Sequence, residues 1–194
     1  MQIRGAERGR LASLELGTIE SLRERSPKMA ESKLSAIARA AKMATIGAIK
    51  GAGSTTEAVM EASRDVLLTA VDGVAQVAVA TEKAAAHIVT GAVHAAAEVG
   101  EDVLLILKST IRGTVKGASE VGADVGKTAV VAVDAGIKAA EQVGADAGTA
   151  VKHAVTGAIE AADEIGGGAS RAVRDVLTAS IKGAKDVVKE PFKK

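Results

Sequence analysis

Three histidines, several adjacent acids and a run of glycines are the residues here whose types invite chemistry. His87 and His94 stand seven residues apart and His153 lies far along the chain. A metal-chelating pair on one helix needs histidines about four apart, so that both rings share a face within bonding reach. The spacing therefore predicts solvated histidines and no metal site. Paired carboxylates such as Glu101-Asp102 and Asp163-Glu164 could in a cleft divide general-acid and general-base roles; in these surroundings they read as solvated surface or helix caps. Gly166-Gly167-Gly168 lacks the preceding strand and following lysine of a phosphate loop. No serine or threonine has a His/Asp partner at motif spacing. The chain is expected to have no catalytic residues and no cofactor, and not to be an enzyme.

The elements that would carry such residues are unusual. Hydrophobic residues make up 47% of the 194, but they are mostly Ala and Val, with one Phe and no Trp, Tyr or Cys. Aromatic rings supply much of the buried area of ordinary cores, so thin helical layers with close backbone approach are expected instead. The absence of cysteine excludes disulfides and thiolate metal sites. Met1 to Arg10 carries Arg4, Arg8 and Arg10 with no apolar run after it, unlike a secretory signal. The longest uncharged stretch, Ala84 to Ala97, has 14 residues, too few to cross a bilayer. A cytoplasmic protein, free or peripheral to a membrane or granule, is the expectation.

Net charge is unevenly spread. Residues 1–50 carry +5, residues 51–180 carry −7 and residues 181–194 carry +3. Basic ends can bind an anionic surface or a neighbouring copy, with Arg4, Arg8, Arg10, Lys193 and Lys194 as the candidates. Without interleaved aromatics, nucleic acid is not an expected partner.

Self-similarity organises the rest. Gly100, Gly122, Gly144 and Gly166 recur every 22 residues, preceded by Val99, Val121, Val143 and Ile165. Glu98, Glu120, Gln142 and Glu164 come one position earlier, and Asp102, Asp124 and Asp146 follow two positions after the glycines. Gly91, Gly113, Ala135 and Gly157 share another register position. A 22-residue period is close to six turns of a relaxed α-helix, at about 3.6 residues each. On that wheel the charged residues occupy one arc. An apolar stripe occupies the other, with Val89, Val93, Ala96, Val99, Val103, Leu107, Ile111, Val115, Val121, Val143, Ile159 and Ile165. That separation predicts an all-α chain of long amphipathic helices packed as an extended bundle, layer or filament. Gly100, Gly122 and Gly144 join the stripe as the face for self-association or surface binding.

Acidic and basic side chains are sorted across the polar arc. Glu98, Glu120, Glu164, Asp102, Asp124 and Asp146 lean one way, while Lys108 and Lys116 lean the other or sit centrally; Asp134, Glu141 and Asp163 break the rule. Helices lying side by side in the same direction would set one flank against the other. Such pairs fix register more than they add stability.

Three regions follow. Residues 1–53 form a basic helical region, with helices over about 11–25 and 27–50 separated at Ser26-Pro27. Residues 54–189 form the repeat region, with a kink or turn at 166–168, and residues 190–194 form a basic tail. Ser54 and Glu57 have capping-box spacing. Across the other glycine steps the stripe keeps its phase, which favours one continuous helix of about 200 Å; the rival is a set of shorter helices in which Gly ends one and Asp caps the next. Fifteen glycines lie between 67 and 189, each costing about 1 kcal/mol in a helix, so the stripe must be buried by another helix, another copy or a surface.

With that period, residues 67–189 resemble the 11/22-residue amphipathic-helix proteins: exchangeable apolipoproteins, perilipins, synucleins, late-embryogenesis-abundant proteins and bacterial phasins. The segment from Gly157 to Gly166 is similar to bacterial repeat proteins of unassigned function. The resemblance implies coating of a lipid or polymer-granule surface, desiccation protection or scaffold assembly, and carries over no functional residue. The chain differs from strong lipid binders in its lack of Trp and scarcity of Phe and Leu. Two functions are therefore expected: a structural protein that self-associates through its small-residue apolar face, or a peripheral coat.

Overall fold

A computed structural model describes residues 33–51, 54–72 and 77–189. All regular structure among them is α-helical: α1 (33–51), α2 (Thr55–Val71), α3 (Val77–Val99), α4 (Val103–Glu120), α5 (Val125–Gln142), α6 (Ala147–Ile165), α7 (Gly167–Ser180) and α8 (Ala184–Lys189). The described residues from 36 onward make one compact unit. The helix expected over 11–25, the Ser26-Pro27 break, Arg4, Arg8, Arg10, Lys193 and Lys194 lie outside the described residues.

The continuous helix is not formed, and the glycine steps are turns. Gly100, Gly122 and Gly144 have φ of 75°, 68° and 90°, a region that costs an L side chain about 1–2 kcal/mol and glycine almost nothing. At Gly122 the amide donates to the Ser119 carbonyl at 3.1 Å and the Ala123 amide to Ala118 at 2.9 Å. That pair of bonds is a Schellman C-cap, and Gly144 with Ala145 repeats it on Glu141 and Ala140. The next helix starts at once. Asp102 accepts from the Leu104 and Leu105 amides, Asp124 from Lys127 and Asp146 from Thr149. Each Val-Gly-x-Asp step thus satisfies the last carbonyls of one helix and the first amides of the next. Phase across the glycine could not distinguish the two arrangements, because equal repeats keep their stripe in phase whether or not the chain turns between them.

Gly166 departs from this pattern. Its φ of 135° and ψ of 168° lie outside the left-handed helical region used by the other steps. It alone separates α6 from α7, and α7 begins without a side-chain cap, since the position of the capping Asp is taken by Gly168. The kink expected at 166–168 is there as a sharp reversal.

From α2 onward, every helix packs only on the next helix and the next but one. Helices two apart run in the same direction: on α6, Glu160 and Glu164 meet Lys108 and Arg112 of α4 at one constant offset. The helix between must return the full length, so successive helices are antiparallel and the odd and even members form two layers. The main core lies between them, built from Val89, Val93, Leu107, Ile111, Val115, Val133, Val155 and Ile159 with many alanines. Its thinness follows from composition, because alanine at an interface keeps helix axes close.

Candidate interaction surfaces

Glycine brings the backbones together between helices two apart. An ideal Cβ at Gly157 would come within 2.5 Å of the Lys108 carbonyl oxygen of α4. Gly113 lies in the same way over Met60 of α2, and Gly91 over Ala38 of α1. These three share a register position in the sequence, so the in-phase glycines are seats for a neighbouring backbone. At the fourth equivalent position, on α5, Ala135 is half-buried. Gly136 beside it faces Leu107, Val89 and Ile111 side chains.

An ion-pair ladder runs between the same helices. Arg64 of α2 donates through Nε and Nη2 to both oxygens of Glu120 on α4, each at 2.6 Å. Lys42 of α1 meets Glu98 of α3 at 2.5 Å. Lys108 of α4 meets Glu160 of α6 at 2.7 Å, and both Arg112 and Lys116 reach Glu164. The hydrogen bond from Arg64, with its charge, holds the Glu120 carboxyl below its usual range and raises the Arg64 guanidinium in turn. Partial burial pushes Glu164 upward, but hydrogen bonds and charge from Lys116 and Arg112 outweigh it and leave it lowered. Asp102, Asp124 and Asp146, which share the acidic flank on the wheel, act as caps; the Thr149 hydroxyl and amide hold Asp146 below its ordinary value.

The face expected to bind a second copy or a surface is turned inward. Val89, Val93, Leu107, Ile111, Val115 and Ile159 are fully buried by helices of the same chain. Val99, Val103, Val121, Val143 and Ile165 are half-buried beside the turns, and Gly100, Gly122 and Gly144 are exposed in them. In this fold the stripe is core, because the reversals lay each helix's apolar face against its neighbours.

Among the described residues, two concave surfaces have a largely apolar lining. A groove of about 500 Å³ between α1 and α2 is lined by Ala36, Ile37, Ala40, Ala44, Ala62, Val66 and Ala70, with Asp65 and Thr69. Its small residues recur at intervals of four, a spacing legible in the sequence as a second, weaker stripe. A cleft of about 860 Å³ lies where α5 and α6 meet the α7–α8 turn, lined by Ile137, Val151, Ile181 and Val187 together with Asp134, Glu141, Lys152 and Asp186.

The histidines are half-buried rather than fully solvated. Burial lowers the His87 pKa, and the His153 Nδ1 is buried without a hydrogen-bond partner. No cluster of metal-ligating side chains occurs among the described residues, and no helix among them is long and apolar enough to cross a membrane. The geometry defines a class, an all-helical stack of short antiparallel helices. No family model matches the chain, and it has no match among curated proteins or solved structures.

Proposed function

We propose that this chain is a non-enzymatic structural protein that self-associates through its small-residue helix faces. The observation that carries the reading is the recurrence of one recognition device along the stack. A glycine seated on a carbonyl and a cation set against a glutamate join α1 to α3, α2 to α4 and α4 to α6. A device that repeats between equivalent helices serves as well between copies as within one. Because the faces are core in a single chain, a second copy reaches them by supplying a helix in place of the chain's own. Sedimentation velocity over a wide concentration range tests the reading; oligomers growing with concentration are expected, and a strict monomer at high concentration refutes it.

A second reading, a peripheral coat on a lipid membrane or a lipid or polymer granule in the cytoplasm, draws on the alanine-rich core. Burying alanine gains far less than burying leucine or phenylalanine, at roughly 25 cal/mol per Å² of apolar surface. A stack so held together opens at modest cost and would present the stripe from Val89 to Ile165 to a surface. Titration with vesicles separates the two readings: loss of interhelix contacts with helicity kept supports a coat, and an unchanged stack rejects it.

A further inference from the structure

We infer that α7 and α8 form an exchangeable clasp, which pivots at Gly166 and can pack on α5 and α6 of a second copy instead of its own. This inference rests on the self-association reading and names its mode.

Three features single out this end of the stack. The connection is minimal, with Gly166 as the only residue between α6 and α7. Its backbone is one that glycine alone adopts readily, and Gly167 and Gly168 beside it have open space where a Cβ would stand. A change at this one hinge would let α6 continue into α7 as a single helix and swing the terminal pair away from the stack. The second feature is weak anchoring. Of the 14 residues of α7, Val173 and Leu177 are buried, whereas the 18-residue α4 buries ten, from Ile106 to Ala118. The third is a polar latch. Arg174 donates to Asp163 at 2.9 Å and the Ser170 hydroxyl also bonds Asp163. These bonds span 11 and 7 residues, which a straight α6–α7 helix would draw apart at about 1.5 Å per residue.

Once the clasp is open, the surface it leaves on α5 and α6 is complementary to a known partner, α7 and α8 themselves. A second copy provides that partner with every contact intact, so exchange costs little beyond association.

Cysteine trapping tests the exchange in the full chain, which has no cysteine of its own. A Cβ at Gly126 of α5 would lie 3.5 Å from Val176 Cγ2 of α7. Gly126→Cys with Val176→Cys therefore places two thiols within disulfide reach whichever copy supplies α7. After oxidation, an exchanged dimer stays covalently dimeric on a denaturing, non-reducing gel. Adding Gly166→Ala, which disfavours the bent hinge, should raise the dimer-to-monomer ratio about tenfold. Asp163→Asn, which removes the latch from the closed and the exchanged form alike, should speed the approach to that ratio and leave the ratio itself unchanged. A native dimer that runs as monomer on the gel, its disulfide formed within one chain, overturns the exchange and leaves self-association standing. A ratio unmoved by Gly166→Ala, or an exchange rate unmoved by Asp163→Asn, also overturns it. Absence of any dimer in the wild-type chain and in both variants overturns the two together.

Discussion

Gly157 on α6 rests on the carbonyl of Lys108 on α4, and a methyl group at position 157 would stand within 2.5 Å of that oxygen. Alanine normally improves a helix over glycine by about 1 kcal/mol. Here the sign should reverse, because two helix backbones must part to admit the Cβ. Gly157→Ala is expected to destabilise by about 1–3 kcal/mol, read as a fall in the urea midpoint. Gly47 of α1 has nothing within 4 Å of an added Cβ, so Gly47→Ala should stabilise by about 0.5–1 kcal/mol.

The turn at residues 121–124 offers a second measurement. Gly122→Ala forces a side chain into a positive-φ backbone and should cost about 1–2 kcal/mol. Asp124→Ala strips the Lys127 amide in the first turn of α5 of its side-chain acceptor, at about 1 kcal/mol. The two share one turn, so their effects in combination should fall short of or exceed additivity. Strict additivity in urea unfolding would show that the C-cap and N-cap act independently.

How much of this was readable beforehand divides along physical lines. Helicity, the common position of Gly91, Gly113 and Gly157, and the sorting of Glu98, Glu120 and Glu164 against basic residues were all legible, because each is a property of one helix wheel. Lys42 and Arg64 are not legible as the partners of Glu98 and Glu120, since an ion pair spanning 56 residues can be placed only once the chain is known to reverse twice between them. The reversals replace the continuous helix that the stripe predicts. Gly122 and Asp124 carried the signal, as a C-cap and an N-cap two residues apart, but the in-phase stripe argued equally for continuity. The glycine penalty was overstated for the same reason: five glycines, at 100, 122, 144, 166 and 183, have positive φ and sit where glycine is favoured.

Glu164 accepts from both Arg112 and Lys116, and its carboxyl is held below the usual range. A depressed folded pKa means stability that is complete above the unfolded value, about 4.3, and is lost as pH falls through the folded value. Glu164→Gln should flatten the acid limb of the stability curve. At neutral pH its cost should stay below about 1 kcal/mol and shrink with added salt, because the pairs are about one-third exposed.

His87 titrates in a different window. Burial lowers its pKa in the folded chain, so the unfolded chain takes up a proton first as pH falls below about 6.5. Stability contributed by the neutral ring is whole above that pH and declines beneath it, ahead of any carboxylate. His87→Gln should remove this slope from urea midpoints measured between pH 7.5 and 5.5, and a slope that survives the substitution would assign it elsewhere.

Pairing each helix with the one two places along imposes an arithmetic on the length of the molecule. Deleting a single helix and its turn, such as the 22 residues from Val103 to Asp124, would hand every later helix its neighbour's layer and direction and take Gly157 off the backbone that seats it. Deleting or duplicating two would return each survivor to a like-facing place. Such a chain should tolerate being shortened or extended by even numbers of helices and fail at odd ones.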